Sequence, residues 1–260
     1  MSLLKTIAQV VFIASFLISP TYKVEVNIES DSSLPTLGWG FKKNQNHQVP
    51  DIGSYESEIS DTNAFYYDSK NPHKIYLTFD AGYDNGNLPK ILDTLKAKGV
   101  KATIFVTGDF VKRFPDLLRR IVNEGHIVGN HSFAHKNIAK ISEEVMFEDI
   151  ERLENAYYET TGVKMAKIFR PPEGSFTKEK LRLLSDRGYR TYFWSLAYCD
   201  WDVNKQYPVN KTIEVVLQNI HPGAIILMHS VSSSNQEALP VIIDKLLDMN
   251  YQFGTLNEVA

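Results

Sequence analysis

Five short stretches of this 260-residue chain carry an ionisable side chain where an apolar run ends. KIYLTFDAGYDNG (74–86) reaches Asp80, and HIVGN runs into HSFAH, which holds His131 and His135. KIFR ends in Arg170 and continues as RPPEGSF; YRTYFW runs on through SLAYCDW to Asp200 and Trp201; GAIILMH ends in His229. Strand ends and the loops after them are where α/β folds mount their chemistry, because the sheet holds a side chain rigidly at the rim of a pocket. Two imidazoles four residues apart lie on one face if their segment turns helically, and they then grip one divalent cation at about 2.0–2.1 Å if it is zinc. Each feature also has an ordinary structural explanation. Asp80 can start a turn, the histidines can be surface or capping groups, and Arg170 can be half of a surface ion pair. Asp200 and Trp201 can be a turn acid and a core aromatic, and His229 a polar terminus.

The elements that must position these residues follow from the hydrophobic pattern. Ile75, Leu77 and Phe79 alternate with Tyr76 and Thr78, all five being strand formers. A helix is predicted over 89–98, with Ile91, Leu92 and Leu95 on one face and Gly99 as its stop. ATIFVTG, HIVGN, KIFR, YRTYFW, GAIILMH and a final YQF read as further strands. They alternate with helical segments in FPDLLRRIVNEG, 142–160, TKEKLRLLSDRG, VNKTIEVVLQNI and EALPVIIDKLLDMN. The long segment opens with SEEV, a Ser ahead of acids in the first turn. Roughly seven strands, each followed by a helix, predict a closed or slightly opened α/β barrel. A doubly wound nucleotide fold is a poorer match, because no G-x-G-x-x-G stands at a strand end. In a barrel the five ends converge on one mouth.

Composition bounds the function. The chain is 43% hydrophobic, enough for a sizeable core, and its net charge of −3 without a Lys/Arg block argues against nucleic acid as a partner. A single cysteine, Cys199, excludes an intramolecular disulfide and a cysteine-based zinc cage, and buried packing is its commoner fate. Lys5 ahead of the apolar run 7–18 predicts export, with 1–20 acting as signal peptide or signal anchor. A linker and irregular lead-in cover 21–71, where Trp39 and Phe41 are expected to pack on the main domain, which spans 72–260.

Taken in order, TFDAG, HSFAH, RPPEG, CDW and LMH resemble the five motifs of the polysaccharide deacetylases, carbohydrate esterase family 4, the NodB homology domain. The lead-in GWGFKKNQNHQVPD, the DAGYDNG form of the first motif and FWSLAYCDWDVN are most similar to the N-acetylmuramic acid deacetylases of spore-forming bacteria, which prepare muramic δ-lactam in spore cortex. The resemblance implies a distorted (β/α)7 barrel and hydrolysis of an acetamide on exported peptidoglycan strands. It also implies one divalent metal on His131 and His135, with zinc expected and manganese or cobalt as alternatives. Asp80 is then the general base, Arg170 the cation that keeps it ionised, His229 the general acid on the opposite side, and Asp200 its partner. The N–H of Glu173 becomes an oxyanion donor, Leu227 lines the acetyl pocket, and Trp201 walls the sugar groove. No obligate protein partner is implied, and a monomer is expected.

Three positions depart from the pattern. Ala81 stands where most relatives carry a second Asp that ligates the metal, leaving Asp84 as the nearest replacement acid. Ala197 replaces a further Asp, and Glu173 replaces a Tyr. Two other functions therefore stand beside the first: an N-acetylglucosamine deacetylase, and a glycan-binding module without catalysis.

Overall fold

The computed structural model describes residues 36–43 and 46–259. The export segment expected over 1–20, and the linker up to 35, lie outside the described residues; among those described, no helix is long and apolar enough to cross a membrane. The lead-in contributes β1 (Leu37–Gly38), α1 (Tyr55–Ile59) and β2 (Ala64–Phe65). There follow β3 (Lys74–Ala81), α2 (Leu88–Ala97), β4 (Thr103–Val106), α3 (Gly108–Arg113), α4 (Pro115–Asn123), β5 (Ile127–Asn130) and α5 (Glu143–Thr161). The second half holds β6 (Ile168–Phe169), β7 (Ser175–Phe176), α6 (Lys178–Asp186), β8 (Arg190–Tyr192), α7 (Val209–Asn219), β9 (Ile225–His229), α8 (Ser233–Asp248) and β10 (Gln252–Gly254).

One parallel sheet runs β10-β3-β4-β5-β6-β8-β2, with β9 also paired to β3. Tyr76 lies opposite both Ile225 and Gly254, so β9 and β10 flank β3 on different edges. The chain beyond β8 then closes the ring: Leu196 bridges Ile226, and the N–H of Leu227 donates to the Leu196 carbonyl at 2.9 Å. The result is the expected distorted barrel, in which β8 and β9 share no ladder among the described residues and isolated bridges close the gap.

β3 is buried along almost its whole length, which is why alternation is visible in its residue types but not in its exposure. Ile75, Leu77, Phe79 and Ala81 face outward and share a core with Leu88, Ile91, Leu92 and Leu95 of α2. Full burial of each such side chain stabilises the fold by about 1.5–3 kcal/mol. Tyr76 belongs to the other face, packed with Phe105, Ile168, Tyr192 and Ile225, and Asp80 shares its parity along the strand. Period-two geometry thus delivers the carboxylate to the barrel mouth above an aromatic and aliphatic floor. The lead-in is fastened alongside: Trp39 stacks on Phe193 at 4.3 Å and donates its indole N–H to the Trp194 carbonyl at 2.9 Å, while β1 pairs antiparallel with β7.

Candidate active site

Asp80 and His229 are register partners on the adjacent parallel strands β3 and β9, so both side chains leave the same face of the sheet. The acid expected on the opposite side of the mouth is instead the base's neighbour in the sheet. Asp80 Oδ1 accepts from Arg170 Nη1 at 2.8 Å, and its Oδ2 lies 3.5 Å from His131 Nε2. Arg170 is fully buried. Its Nε donates to the Tyr192 carbonyl at 3.1 Å and its guanidinium carbon lies 4.1 Å from the centre of the Phe105 ring, so packing and hydrogen bonds fix it before any substrate arrives. Burial by itself raises the Asp80 pKa, but the charge and hydrogen bond of Arg170, with the nearby imidazoles, outweigh it and hold the carboxyl below its usual value.

The HSFAH segment is not helical, contrary to the condition under which the two histidines were expected to share a face. Ser132 and His135 take left-handed backbone angles (φ 67° and 53°), and the loop itself brings the two rings together at 4.9 Å in an edge-on arrangement. Asp149 on α5 shapes this loop: it accepts from the Ser132 hydroxyl, from the Phe133 N–H at 2.7 Å and from the Ala134 N–H at 3.2 Å. Its sequence signal is slight, an acid on a helix with no motif around it. Gly108 is needed for a different reason, since a Cβ there would come within 2.4 Å of the Phe133 ring.

His131 Nδ1 sits 2.9 Å from the Arg170 carbonyl, an oxygen that only accepts, so Nδ1 carries the proton and the Nε2 lone pair is left facing Asp80. Burial pushes the pKa of His131 down to about 4, keeping the ring neutral as a metal ligand requires. The donor chemistry therefore fits a divalent ion held by two imidazoles. It does not provide a full protein cage: among the described residues no three His, Cys, Asp or Glu side chains group so as to hold a metal. Ala81 is completely buried. Asp84 is not its replacement, because its Oδ1 accepts from the Leu88 N–H at 3.1 Å at the start of α2, and it lines a separate cavity with Arg113 and Arg120.

On the acid side, His229 Nδ1 donates to Asp200 Oδ1 at 2.7 Å, and Asp200 Oδ2 accepts from the His229 main-chain N–H at 2.8 Å. Burial opposes a charge on His229, but the hydrogen bond and charge of Asp200, helped by Asp80, raise its pKa above the ordinary histidine value. Both ring nitrogens thus hold protons over a wider pH range, with Nε2 the one not engaged by Asp200.

These groups open into a cleft of about 900 Å³. Leu227, Trp201 and Glu173 line it, as do Gly40, Phe41 and Lys43 of the lead-in. Trp201 is 62% exposed, so the core-aromatic alternative for it does not hold. Glu173 adopts φ 60°, ψ 5° after the Pro171-Pro172 pair, and its Oε2 accepts from Asn137 Nδ2 at 3.0 Å. Cys199 also lines the cleft and is exposed rather than packed.

This barrel, with a buried carboxylate, a carboxylate-paired imidazole and an imidazole pair at one mouth, is the architecture of a polysaccharide deacetylase; the polysaccharide deacetylase family model matches residues 67–192, and the chain belongs to that family. Among individual proteins, it is 40% identical to the peptidoglycan-N-acetylmuramic acid deacetylase PdaA of Bacillus subtilis over 86% of this chain and 85% of that one. The solved structure of PdaA, described as a family 4 carbohydrate esterase, superposes with a TM-score of 0.82, covering 86% of this chain and 96% of the other. A peptidoglycan-N-acetylglucosamine deacetylase of Bacillus cereus is 35% identical over 72% of this chain and 68% of its own length. A family 4 pseudoenzyme from Bacillus anthracis matches with a TM-score of 0.70 at 33% identity, covering 75% of this chain and 68% of that chain.

Proposed function

We propose that this protein hydrolyses the acetamide of N-acetylmuramic acid residues in peptidoglycan, as a step toward muramic δ-lactam in spore cortex. The observation that carries the reaction is the side-by-side placement of an ionised carboxylate and a proton-bearing imidazole on adjacent strands, with two further imidazoles beside them. Asp80 takes a proton from the attacking water as its oxygen bonds to the acetyl carbon. The carbonyl oxygen gains charge and is received by the N–H of Glu173. His229 Nε2 then delivers a proton to the sugar nitrogen as the C–N bond breaks, giving acetate and a free amine. His131 and His135 would hold a divalent ion, zinc in this proposal, which would supply Lewis acidity toward the carbonyl and the attacking water. With only two protein nitrogens offered among the described residues, metal affinity would be modest. Leu227 receives the acetyl methyl, and Trp201 walls the sugar groove.

The muramic sugar is favoured by the likeness to PdaA, which extends over more of the chain than the likeness to the N-acetylglucosamine deacetylase. Lys43 adds support. It lines the same cleft, has no ion-pair partner among the described residues, and is a cation of the kind that a lactyl carboxylate seeks. Export is proposed from the charged and apolar character of the 1–20 segment, and a monomer is proposed with it.

The test is digestion of peptide-free glycan strands with metal-loaded protein, followed by mass spectrometry of the released sugars. Free amines on muramic residues support the proposal; free amines confined to glucosamine assign the activity to the other sugar. Ala81 favours one further reading, a glycan-binding module. Glycan binding without turnover under any added divalent metal establishes that reading.

A further inference from the structure

The turn into α8 and the start of that helix form a run of small, mostly polar residues, SVSSSN (230–235), that the deacetylation chemistry leaves unused. Three of its side chains reach the segment between β8 and α7 that carries Asp200. The Ser232 hydroxyl donates to the Gln206 side-chain oxygen, and Gln206 Nε2 in turn donates to the Asp200 carbonyl at 2.9 Å. The Ser234 hydroxyl donates to the Tyr207 carbonyl. Asn235, completely buried, is the most fully engaged. Its Nδ2 donates to Asp200 Oδ2 at 2.6 Å and to the His229 carbonyl at 3.3 Å, while its Oδ1 accepts from the Tyr198 hydroxyl at 2.7 Å.

The direction of these bonds matters. A carboxylate oxygen accepts only, so the face of Asn235 turned to Asp200 must be its NH₂. The His229 carbonyl demands the same face, and Tyr198, donating its hydroxyl to the opposite oxygen, holds the amide in that orientation. Burial pushes the Tyr198 phenol pKa well up, so it stays a protonated donor. The Ser232 hydroxyl completes the arrangement by accepting from the Asn235 main-chain N–H at 3.1 Å, fixing where the side chain starts. Asp200 Oδ2 thus has two donors, Asn235 Nδ2 and the His229 N–H, and Oδ1 is left in line with His229 Nδ1.

We propose that Asn235, oriented by Tyr198, is a positioning residue for the acid half of the reaction: it locks the Asp200 carboxylate in the rotamer that aims the His229 ring into the cleft. Asn235 does not itself reach the cleft; it acts only through Asp200 and His229. Without it, Asp200 keeps one anchor and can swing about its terminal bond, and the imidazole loses its fixed direction. This inference rests on the deacetylase reading, but the two fail separately. Turnover by the unaltered protein on glycan tests that reading, and a mutant cycle tests this one.

The experiment is a double-mutant cycle of Asn235→Ala with Asp200→Ala, each variant assayed metal-loaded on peptide-free glycan and checked by thermal melting. Asn235→Ala is expected to lower kcat about 10-fold with KM changed by less than about 2-fold, a loss made at the proton-transfer step rather than in binding. In the Asp200→Ala background the same substitution is expected to cost nothing further, because the group it positions is gone. Multiplicative losses, or a loss confined to KM, would overturn the proposal. If Asn235→Ala does not fold, the cycle is read with Tyr198→Phe, which keeps the ring and removes only the hydroxyl. It should lower kcat about 3-fold alone and not at all on Asp200→Ala, and an equal loss in both backgrounds overturns the assignment.

Discussion

The two halves of the catalytic mouth are built on the same plan with opposite signs. On the Asp80 side a carboxylate rests against a buried guanidinium; on the His229 side an imidazole rests against a buried carboxylate. Arg170 lowers the proton affinity of Asp80, whereas Asp200 raises that of His229. The halves differ in wetness. The side chains of Asp80 and Arg170 are 9% and 0% exposed, while that of His229 is 28% exposed, as suits a group that must exchange protons with substrate and solvent. One lesson follows: a pair of ionisable neighbours sets opposite protonation states on adjacent strands, and burial decides how much each loss costs.

The largest effects should come from breaking either half outright. Asp80→Asn and His229→Ala are each expected to lower turnover by at least about two orders of magnitude, the usual scale for a lost base or acid. Steady-state assays on soluble glycan check this, and near-normal rates in either variant would remove the acid–base assignment. Next comes Arg170→Met, which leaves a buried carboxylate uncompensated. It should destabilise the fold by about 3–5 kcal/mol, read by denaturant unfolding. The same change should drive the Asp80 pKa upward, since the strongest influence opposing burial is then removed.

Asp200→Asn sharpens the contrast through pH. In the unaltered protein, activity should fall as pH rises through the His229 pKa, at a pH above the ordinary histidine value of about 6.5. The stability contributed by the raised pKa has the same sense: it is fully present below about pH 6.5 and is lost as pH rises through the folded value. Replacing Asp200 leaves burial as the main influence, so the alkaline limb of the kcat profile should move down; an unmoved limb would detach Asp200 from His229. Smaller still, Asp149→Ala should loosen the histidine loop and weaken zinc binding about 10-fold by calorimetry, whereas His131→Ala should abolish it. At the bottom of the scale, Cys199→Ser should leave both turnover and metal content unchanged within error.

Much of this was legible in the residues. Strand-ending Asp80, Arg170 and His229 were visible because an apolar run that stops at a charge marks a sheet edge, and parity along β3 sends Asp80 to the inner face. The histidine pairing was legible from spacing, but the helical route to it was not the one taken. Two histidines four apart suggest a helix, but an acid sixteen residues beyond Phe133 bends the segment into a left-handed loop with the same result. Asp84 looked close to Ala81 along the chain, yet the start of α2 claims its carboxylate.

By itself, the order of residue types determined the alternation of strand and helix and the identity of the groups at the strand ends; that position 81 lacks an acid followed only from the resemblance to the deacetylases. Those are local properties, set by side-chain periodicity and by what each group can ionise or ligate. Only the tertiary structure decided that Asp80 and His229 are register neighbours, that Asp149 and Asn235 hold the two loops from behind, and that Cys199 meets solvent. Phe133 meets Asp149 16 positions on, Asp200 meets Asn235 35 positions on and Asp80 meets His229 149 positions on, and no local preference encodes which distant donor a buried oxygen will find.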